Sequence, residues 1–256
     1  MPELPEAETI VRTLGPLIAG QGIRVAHFPG KRVVRAEMPD LAGCRIQGVS
    51  RYGKQVLLEL DRGFLLVRLG MTGALLVNQP AGKFTRAEFQ LSQSTLHFDD
   101  IRQFGWIEYL HAPPEHLGPD PFEITAAEFA QRVAGRRTGM KRLLLDQDFL
   151  RGIGNIYADE ALFRAGIHPN ASTIRLKRSR AEHLHASLVE LLRESIECGG
   201  SSISDYVDAT GSKGSFQLRH RMYGKQGEPC PGCGRAIERI VVAQRGTHFC
   251  PNCQRK

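Results

Sequence analysis

The first residues of the chain place a nucleophile beside two carboxylates. Pro2 follows the initiator methionine, and removal of Met1 would expose its nitrogen as a secondary amine. An α-amine has a pKa far below that of lysine, and it can form an iminium ion with an aldehyde or a sugar carbon. Glu3 and Glu6 are three residues apart and share one face of a predicted helix. Taken alone, these residues favour an ordinary helix start, where acidic side chains suit the dipole.

Four cysteines near the other end have the spacing of a metal site. Cys230 and Cys233 form one Cys-x2-Cys pair, and Cys250 and Cys253 form a second. Two such pairs supply four thiolates to a closed tetrahedral zinc site. Because no ligand position stays open, the sequence predicts one structural Zn²⁺. Residues 237–248 predict a short hairpin between the pairs, and so a zinc ribbon.

The composition favours a polyanionic partner. The chain has 256 residues, a formal net charge of +7 and a hydrophobic fraction of 41%, which together indicate a globular protein that could bind nucleic acid. No apolar run approaches the roughly 18 residues of a membrane helix. The N-terminus also lacks the pattern of a signal peptide, so we expect a protein of the cytosol with no membrane partner.

The pattern along the chain predicts an α+β fold. A helical spacing of apolar residues covers 5–18, and short β-type runs separated by turns follow from about 23 to 110, which predicts a β-sandwich or barrel. Helices are predicted at about 140–149, 155–165 and 178–197, and a mobile Gly/Ser-rich loop at 199–227. The predicted domains are an N-terminal helix with a β-sandwich (1–112), a proline-rich linker (113–124), a helical domain (125–227) and the zinc ribbon (228–256).

Three separated motifs resemble the formamidopyrimidine-DNA glycosylase/endonuclease VIII family of bacterial repair enzymes. The start Pro2-Glu3-Leu4-Pro5-Glu6 is similar to the glycosylase branch, whereas endonuclease VIII usually carries glycine where this chain has Leu4. Residues 152–160 and 165–169 resemble the helix–two-turn–helix signature of the family. The zinc ribbon completes the match in the family's order.

The resemblance implies a chemical role for five residues. Pro2 would attack C1′ of a damaged nucleotide flipped out of duplex DNA, with Glu3 as general acid/base and Glu6 as a supporting residue. Lys54 matches an assisting lysine, and Arg245 matches the ribbon arginine that contacts phosphate. β-Elimination followed by δ-elimination would cleave the abasic site.

The resemblance also implies DNA contacts. Apolar and cationic side chains suit the filling of the hole left by a flipped base, and three positions match that role: Met71, Arg102 and Phe104. Gly154 and Asn155 match an anion site at a helix N-terminus, and 205–220 matches a lesion-capping loop. Further predicted contacts to DNA are Arg86, where the family often has histidine, and the basic residues Arg137 and Lys141.

A few positions depart from the family pattern. Gln103 stands where a second arginine is common, Ile101 where proline is common, and Lys225 where arginine is usual. These positions could change DNA affinity or lesion preference, but none belongs to the predicted chemistry.

Three functional alternatives remain beside a monomeric glycosylase for oxidised purines. One is an endonuclease VIII-like enzyme for oxidised pyrimidines, and another is a non-catalytic zinc-ribbon protein that binds DNA. The third is an N-terminal-proline enzyme for small carbonyl compounds, which would have no use for the ribbon.

Overall fold

The computed structural model describes residues 2–30, 32–203 and 205–256. Met1, whose removal the amine chemistry requires, lies outside them. The contacts divide the chain into two compact units. The first contains the chain up to Glu115 together with Ile196–Gln217, and the second contains His116–Ser195 and Leu218–Lys256.

The first unit begins with helix α1, Leu4–Ile18. Pro5 suits the first turn because proline lacks the N–H that would stay unpaired there. Ile10, Leu14 and Ile18 recur every four residues, and all three are fully buried. This stripe packs α1 into the core of the strands that follow.

Nine strands of the first unit form two sheets. In chain order they are β1 (Ile23–His27), β2 (Val34–Arg35), β3 (Ile46–Tyr52), β4 (Gln55–Leu60), β5 (Phe64–Arg68), β6 (Gly73–Val77), β7 (Thr85–Leu91), β8 (Thr95–Asp100) and β9 (Trp106–Leu110). One sheet has the order β1-β7-β8-β6 and the other β2-β9-β5-β4-β3. Buried residues alternate along β7, as expected of a sheet with one face on the core. The predicted helix with a β-sandwich is confirmed.

The segment 196–217 packs with this first unit. Tyr206 and Ala209 are buried in the same apolar cluster as the sandwich strands, and the Val77 N–H donates to the Ala209 carbonyl at 3.1 Å. The domain prediction placed these residues in the helical region at 125–227. Their apolar side chains, sparse among Gly and Ser, carry no periodicity that would have revealed this packing.

The second unit contains the remaining helices and a hairpin. The helices are α2 (Ala126–Ala134), α3 (Met140–Leu145), α4 (Asn155–Arg164) and α5 (Arg178–Glu197), whose last two residues group with the first unit. Strands β10 (Glu238–Val242) and β11 (Arg245–Phe249) pair antiparallel. Helix α3 is shorter than the predicted 140–149 because Asp146 leaves the helical conformation and its Oδ1 accepts the Asp148 N–H at 3.0 Å.

Among the residues that the structure describes, no helix combines the length and apolarity needed to cross a bilayer.

Candidate active site and DNA-contacting elements

Pro2 and Glu3 lie at the N-terminus of α1, and both are buried. Glu3 is the residue just before the helix and is 3% exposed. A carboxylate held here is adjacent in sequence to the nitrogen that processing would free. The structure therefore keeps the predicted nucleophile and its predicted acid/base partner in one enclosed place.

Glu6 holds the backbone around this N-terminus. Its Oε2 accepts the Glu3 N–H at 2.8 Å, and its Oε1 accepts the Ser201 N–H at 2.7 Å. Gly200 has φ +77°, and a Cβ there would lie 2.8 Å from Glu6 Oε1, so only glycine permits this approach. Glu6 thus connects the start of α1 to residues 200–201.

Tyr206 also contacts Glu6. Its hydroxyl donates to the Glu6 carbonyl at 3.3 Å. Burial raises the pKa of this phenol well above its ordinary value, and the nearby Glu6 charge adds to the shift. The hydroxyl therefore remains protonated and acts as a donor at any working pH.

The predicted lesion-capping loop is attached to residues 200–202. The Gly214 N–H donates to Ser202 Oγ at 2.9 Å, and the Phe216 N–H donates to the Gly200 carbonyl at 3.0 Å. A Cβ at Gly214 would lie 2.3 Å from the Gly200 carbonyl oxygen, so the backbones approach closely only because this residue is glycine.

Lys54 lies in the two-residue turn between β3 and β4. Gly53 has φ +64°, and Tyr52 pairs with Gln55 across the turn. Arg51, just before it, donates from Nε to Glu8 Oε2 at 2.9 Å. This ion pair connects the turn that carries Lys54 to α1.

Glu8 is ionised in this arrangement. Burial acts to raise its pKa, but hydrogen bonds and charges from Arg51 and Arg12 outweigh burial and leave the pKa below its ordinary value. The sequence alone gave Glu8 no role, since its partner Arg51 lies on a different element.

The three predicted hole-filling side chains lie on two adjacent loops. Met71 is 38% exposed and Phe104 is 55% exposed, so both apolar side chains are accessible at the surface. The Arg102 guanidinium lies 5.0 Å from the centre of the Phe104 ring, in cation–π geometry. The structure thus brings the three together at the surface.

Arg86 lies close to the same loops. It is half-buried on β7, and its Nε donates to the Asp100 carbonyl at 2.9 Å. This hydrogen bond uses one of the five donors of a guanidinium. It therefore orients the side chain and is compatible with the predicted DNA contact.

In the second unit, the start of α4 adjoins the hairpin. Gly154 precedes the helix, and the Asn155 side chain donates to the Gly246 carbonyl at 3.0 Å. Ala243 and Gln244 form the hairpin turn with φ of +48° and +60°. Positive φ at both central residues is typical of the type I′ turn, which is common in two-residue hairpins. Arg245 follows this turn and is exposed.

The structure does not support Lys141 as a contact to phosphate. Its side chain is 0% exposed, and its Nζ lies 2.6 Å from Asp159 Oδ1 and 2.7 Å from Thr247 Oγ1. Asp159 Oδ2 in turn accepts the His248 N–H at 2.9 Å. The ion pair therefore fixes β11 against α3 and α4. By contrast, Arg137 is exposed between α2 and α3.

The four ribbon cysteines fit a zinc ion. Their Sγ atoms all lie within 4.8 Å of one another, with 3.9 Å between those of Cys230 and Cys253 and 3.5 Å between those of Cys233 and Cys250. A tetrahedron with Zn–S bonds of about 2.3 Å requires separations of about 3.8 Å. Four thiolates around one point leave no position for substrate, so this is a structural zinc site.

Comparison with known proteins identifies the family. Residues 1–107 match the formamidopyrimidine-DNA glycosylase N-terminal domain, 117–207 the formamidopyrimidine-DNA glycosylase H2TH domain, and 227–255 the zinc finger found in FPG and IleRS. A formamidopyrimidine-DNA glycosylase of Solibacter usitatus is 51% identical, with all of both chains covered.

The chain belongs to the formamidopyrimidine-DNA glycosylase family. The crystal structure of the MutM (Fpg) protein of Thermus thermophilus has a TM-score of 0.89 at 41% identity, covering 99% of this chain and 98% of that one. An Fpg variant of Lactococcus lactis, in complex with DNA containing Fapy-dG, has a TM-score of 0.92 at 37% identity, with both chains fully covered. As a member of this family the chain is a DNA glycosylase of base-excision repair that acts on damaged duplex DNA.

Several residues that organise this glycosylase were not found from the sequence. They are Glu8 and Arg51 beside the Lys54 turn, Ser201 and Tyr206 beside Glu6, and Asp100 beneath the loops with Met71 and Phe104. Each acts through a partner on another element or loop. An acidic residue at the end of a strand, such as Asp100, is the one signal that could have drawn attention beforehand.

Proposed function

We propose that the chain excises oxidised purines, including 8-oxoguanine and formamidopyrimidines, and then cleaves the resulting abasic site. The observation that carries this proposal is the buried Pro2–Glu3 pair at the start of α1. The Glu6 carboxylate holds the backbone there by accepting the N–H groups of Glu3 and Ser201. Buried Leu4 adds support, because endonuclease VIII usually has glycine at that position.

The residues divide the chemistry as follows. The Pro2 nitrogen, once Met1 is removed, forms a bond to C1′ while the bond from C1′ to the base breaks and the base leaves with the electron pair. Glu3 moves protons at the sugar, and the nitrogen lone pair then expels the ring oxygen to give the iminium ion. Loss of a C2′ proton expels the 3′ phosphate, and a second elimination expels the 5′ phosphate.

Residues of the second unit bind the DNA backbone in this proposal. The Asn155 side chain donates one N–H to the Gly246 carbonyl, and Arg245 precedes Gly246 on the hairpin. The second N–H of the Asn155 amide and the Arg245 guanidinium are therefore both available to one phosphate. Arg245 also favours departure of the phosphate by balancing its charge. Arg137 contributes charge at a separate, exposed position, and Lys54 assists Pro2 from its turn.

The hole left by the flipped base is filled from the first unit. Met71 and Phe104 are exposed apolar wedges, and Arg102 carries donors for the orphaned base. We further propose that the enzyme acts as a monomer and works on the bacterial nucleoid in the cytosol, where its substrate lies.

The test is borohydride trapping on duplexes with 8-oxoguanine, ring-opened guanine, thymine glycol or an abasic site. Protein processed to begin at Pro2 should give a covalent adduct on the purine lesions, with the modification at Pro2, and cleavage should leave phosphate at both strand ends. Pro2→Gly, processed in the same way, retains an N-terminal amine, whereas the Pro2 nitrogen of an unprocessed Met-Pro protein is an amide. The unprocessed protein is the matched control and should give no adduct. Preference for thymine glycol would favour the pyrimidine alternative, and no adduct on any duplex would overturn the proposal.

A further inference from the structure

Asp100 lies at the end of β8, beneath the two loops that carry Met71, Arg102 and Phe104. Its side chain is 0% exposed. The hydrogen bonds described for its carboxylate come from residues other than those proposed to act with Pro2 in the chemistry. A buried carboxylate is costly unless it is well hydrogen-bonded. Its partners therefore show what it holds.

Those partners come from both loops. Asp100 Oδ1 accepts the Thr72 hydroxyl at 2.5 Å and the Arg102 N–H at 3.2 Å, while Oδ2 accepts the Gly105 N–H at 2.8 Å. Thr72 Oγ1 also accepts the Arg102 N–H, at 3.0 Å. Every one of these donors belongs to a hole-filling residue or to its neighbour in sequence.

The two loops also touch through their backbones. Gly70 has φ +64°, and a Cβ there would lie 2.7 Å from the Phe104 carbonyl carbon and from the Gly105 nitrogen. Gln103, between Arg102 and Phe104, takes a left-handed φ of +55°, which costs free energy for a residue with a side chain. The carboxylate hydrogen bonds on each side of Gln103 hold the chain in this conformation.

We propose that Asp100 is a positioning residue that fixes the Met71 and Arg102–Phe104 loops in their DNA-inserting arrangement before DNA binds. This inference rests on the proposed function, because it gives the wedge residues their role. Preorganisation removes the cost of ordering the loops at the moment of insertion. It should matter most where a stacked base must be extruded, and least where the base is already missing.

The experiment compares two single-turnover rates for each variant on duplexes of the same sequence. One is excision of 8-oxoguanine opposite cytosine, and the other is cleavage at a preformed abasic site. Asp100→Asn retains the size of the side chain but has one acceptor oxygen, so an NH₂ group must face one set of donors. The ratio of the lesion rate to the abasic-site rate should fall by about tenfold or more.

Matched variants separate this role from a general loss of structure. Asp99→Asn makes the same change one residue earlier, where the carboxylate accepts the Thr85 hydroxyl, and should keep the wild-type ratio. Thr72→Val should lower the ratio as Asp100→Asn does. Thr72→Ser keeps the hydroxyl and should keep the wild-type ratio. Insertion of the wedge residues unstacks a 2-aminopurine placed 3′ to the lesion and so raises its fluorescence. This fluorescence should be lower in complexes of Asp100→Asn and Thr72→Val than in the wild-type complex.

Several results would overturn the proposal. One is an unchanged ratio in both Asp100→Asn and Thr72→Val, and another is an equal loss of both rates. If Asp100→Asn does not fold, Thr72→Val and Thr72→Ser decide the matter. A wild-type enzyme that cleaves the abasic duplex but not the lesion keeps the lyase and refutes the proposed excision. A wild type inactive on both refutes the proposed function, and this inference with it.

Discussion

The Glu6 carboxylate organises the backbone at the start of α1 through its hydrogen bonds. Its two oxygens accept backbone N–H groups from Glu3 and Ser201, so one carboxylate connects the residue next to Pro2 to residues 200–201. Removing one acceptor would leave a buried donor unpaired, at a cost of about 1–3 kcal/mol. Glu6 therefore stabilises the backbone conformation beside Pro2.

His220 makes a pH-dependent contribution to the free energy of unfolding. Burial lowers its pKa to about 4, and the positive charge of Lys225 acts in the same direction. Because the unfolded chain has the higher pKa, it binds the proton first as the pH falls. The stabilisation is complete above the unfolded pKa of about 6.5 and is lost between there and about pH 4.

We therefore expect His220→Gln to reduce the pH dependence of unfolding. The wild type should lose about 1 kcal/mol from this group between pH 7 and pH 5.5, and the variant should lose correspondingly less. Urea titrations followed by far-ultraviolet circular dichroism would measure this, with His183→Gln on the exposed side of α5 as control. Parallel pH profiles for the wild type and His220→Gln would contradict the assignment.

The Lys141–Asp159 pair joins two helices to the hairpin. Lys141 of α3 donates to Thr247 of β11, and Asp159 of α4 accepts the N–H of His248 of β11. The hairpin that carries Arg245 is thus held by charged groups with no exposed surface. Loss of either charge would leave the other buried and uncompensated.

Lys141→Met should consequently destabilise the protein by about 3–5 kcal/mol. The double variant Lys141→Met/Asp159→Asn removes both charges and keeps an acceptor for the His248 N–H, so it should recover at least half of that loss. Arg178→Met breaks the exposed pair with Glu182. That change should cost at most about 0.5 kcal/mol. A Lys141→Met effect no larger than that of Arg178→Met in urea unfolding would refute this role.

Different elements were predictable to different degrees, for physical reasons. The helix at 178–197 and the cysteine ligands follow from local spacing, and the structure has both where the pattern puts them. Lys141 was misassigned because a lysine in a basic segment is usually exposed, and only the fold reveals Asp159 opposite it. The contacts of Glu6 and Arg51 join residues far apart in the chain, which no local pattern encodes.

Zinc stabilises one part of the chain, and the sandwich core stabilises another. The ribbon has a small apolar cluster of its own, with Met222 and Ile237 beside two cysteines, so binding of zinc by its four thiolates contributes to its folding free energy. All four cysteine ligands belong to the second unit. Trp106, the single tryptophan of the chain, belongs to the first unit and is 9% exposed on β9.

Chelation of zinc should therefore separate two signals. DNA affinity should fall by at least about tenfold, since Arg245 loses its hairpin, while Trp106 fluorescence should stay unchanged. Elemental analysis should give one zinc per chain, and readdition of Zn²⁺ should restore binding. DNA affinity that survives complete metal removal would contradict this account, as would a tryptophan emission that shifts together with the loss of metal.

The anchoring of Glu6 by Ser201 also sets an order of events during synthesis. The two residues are 195 positions apart, and residues 116–195, which intervene, fold into the other unit. A ribosome must therefore translate most of the chain before the first helix can acquire its last partners. Pro2 leaves the ribosome early, but the hydrogen bond that joins Glu6 to Ser201 beside it can form only late in translation.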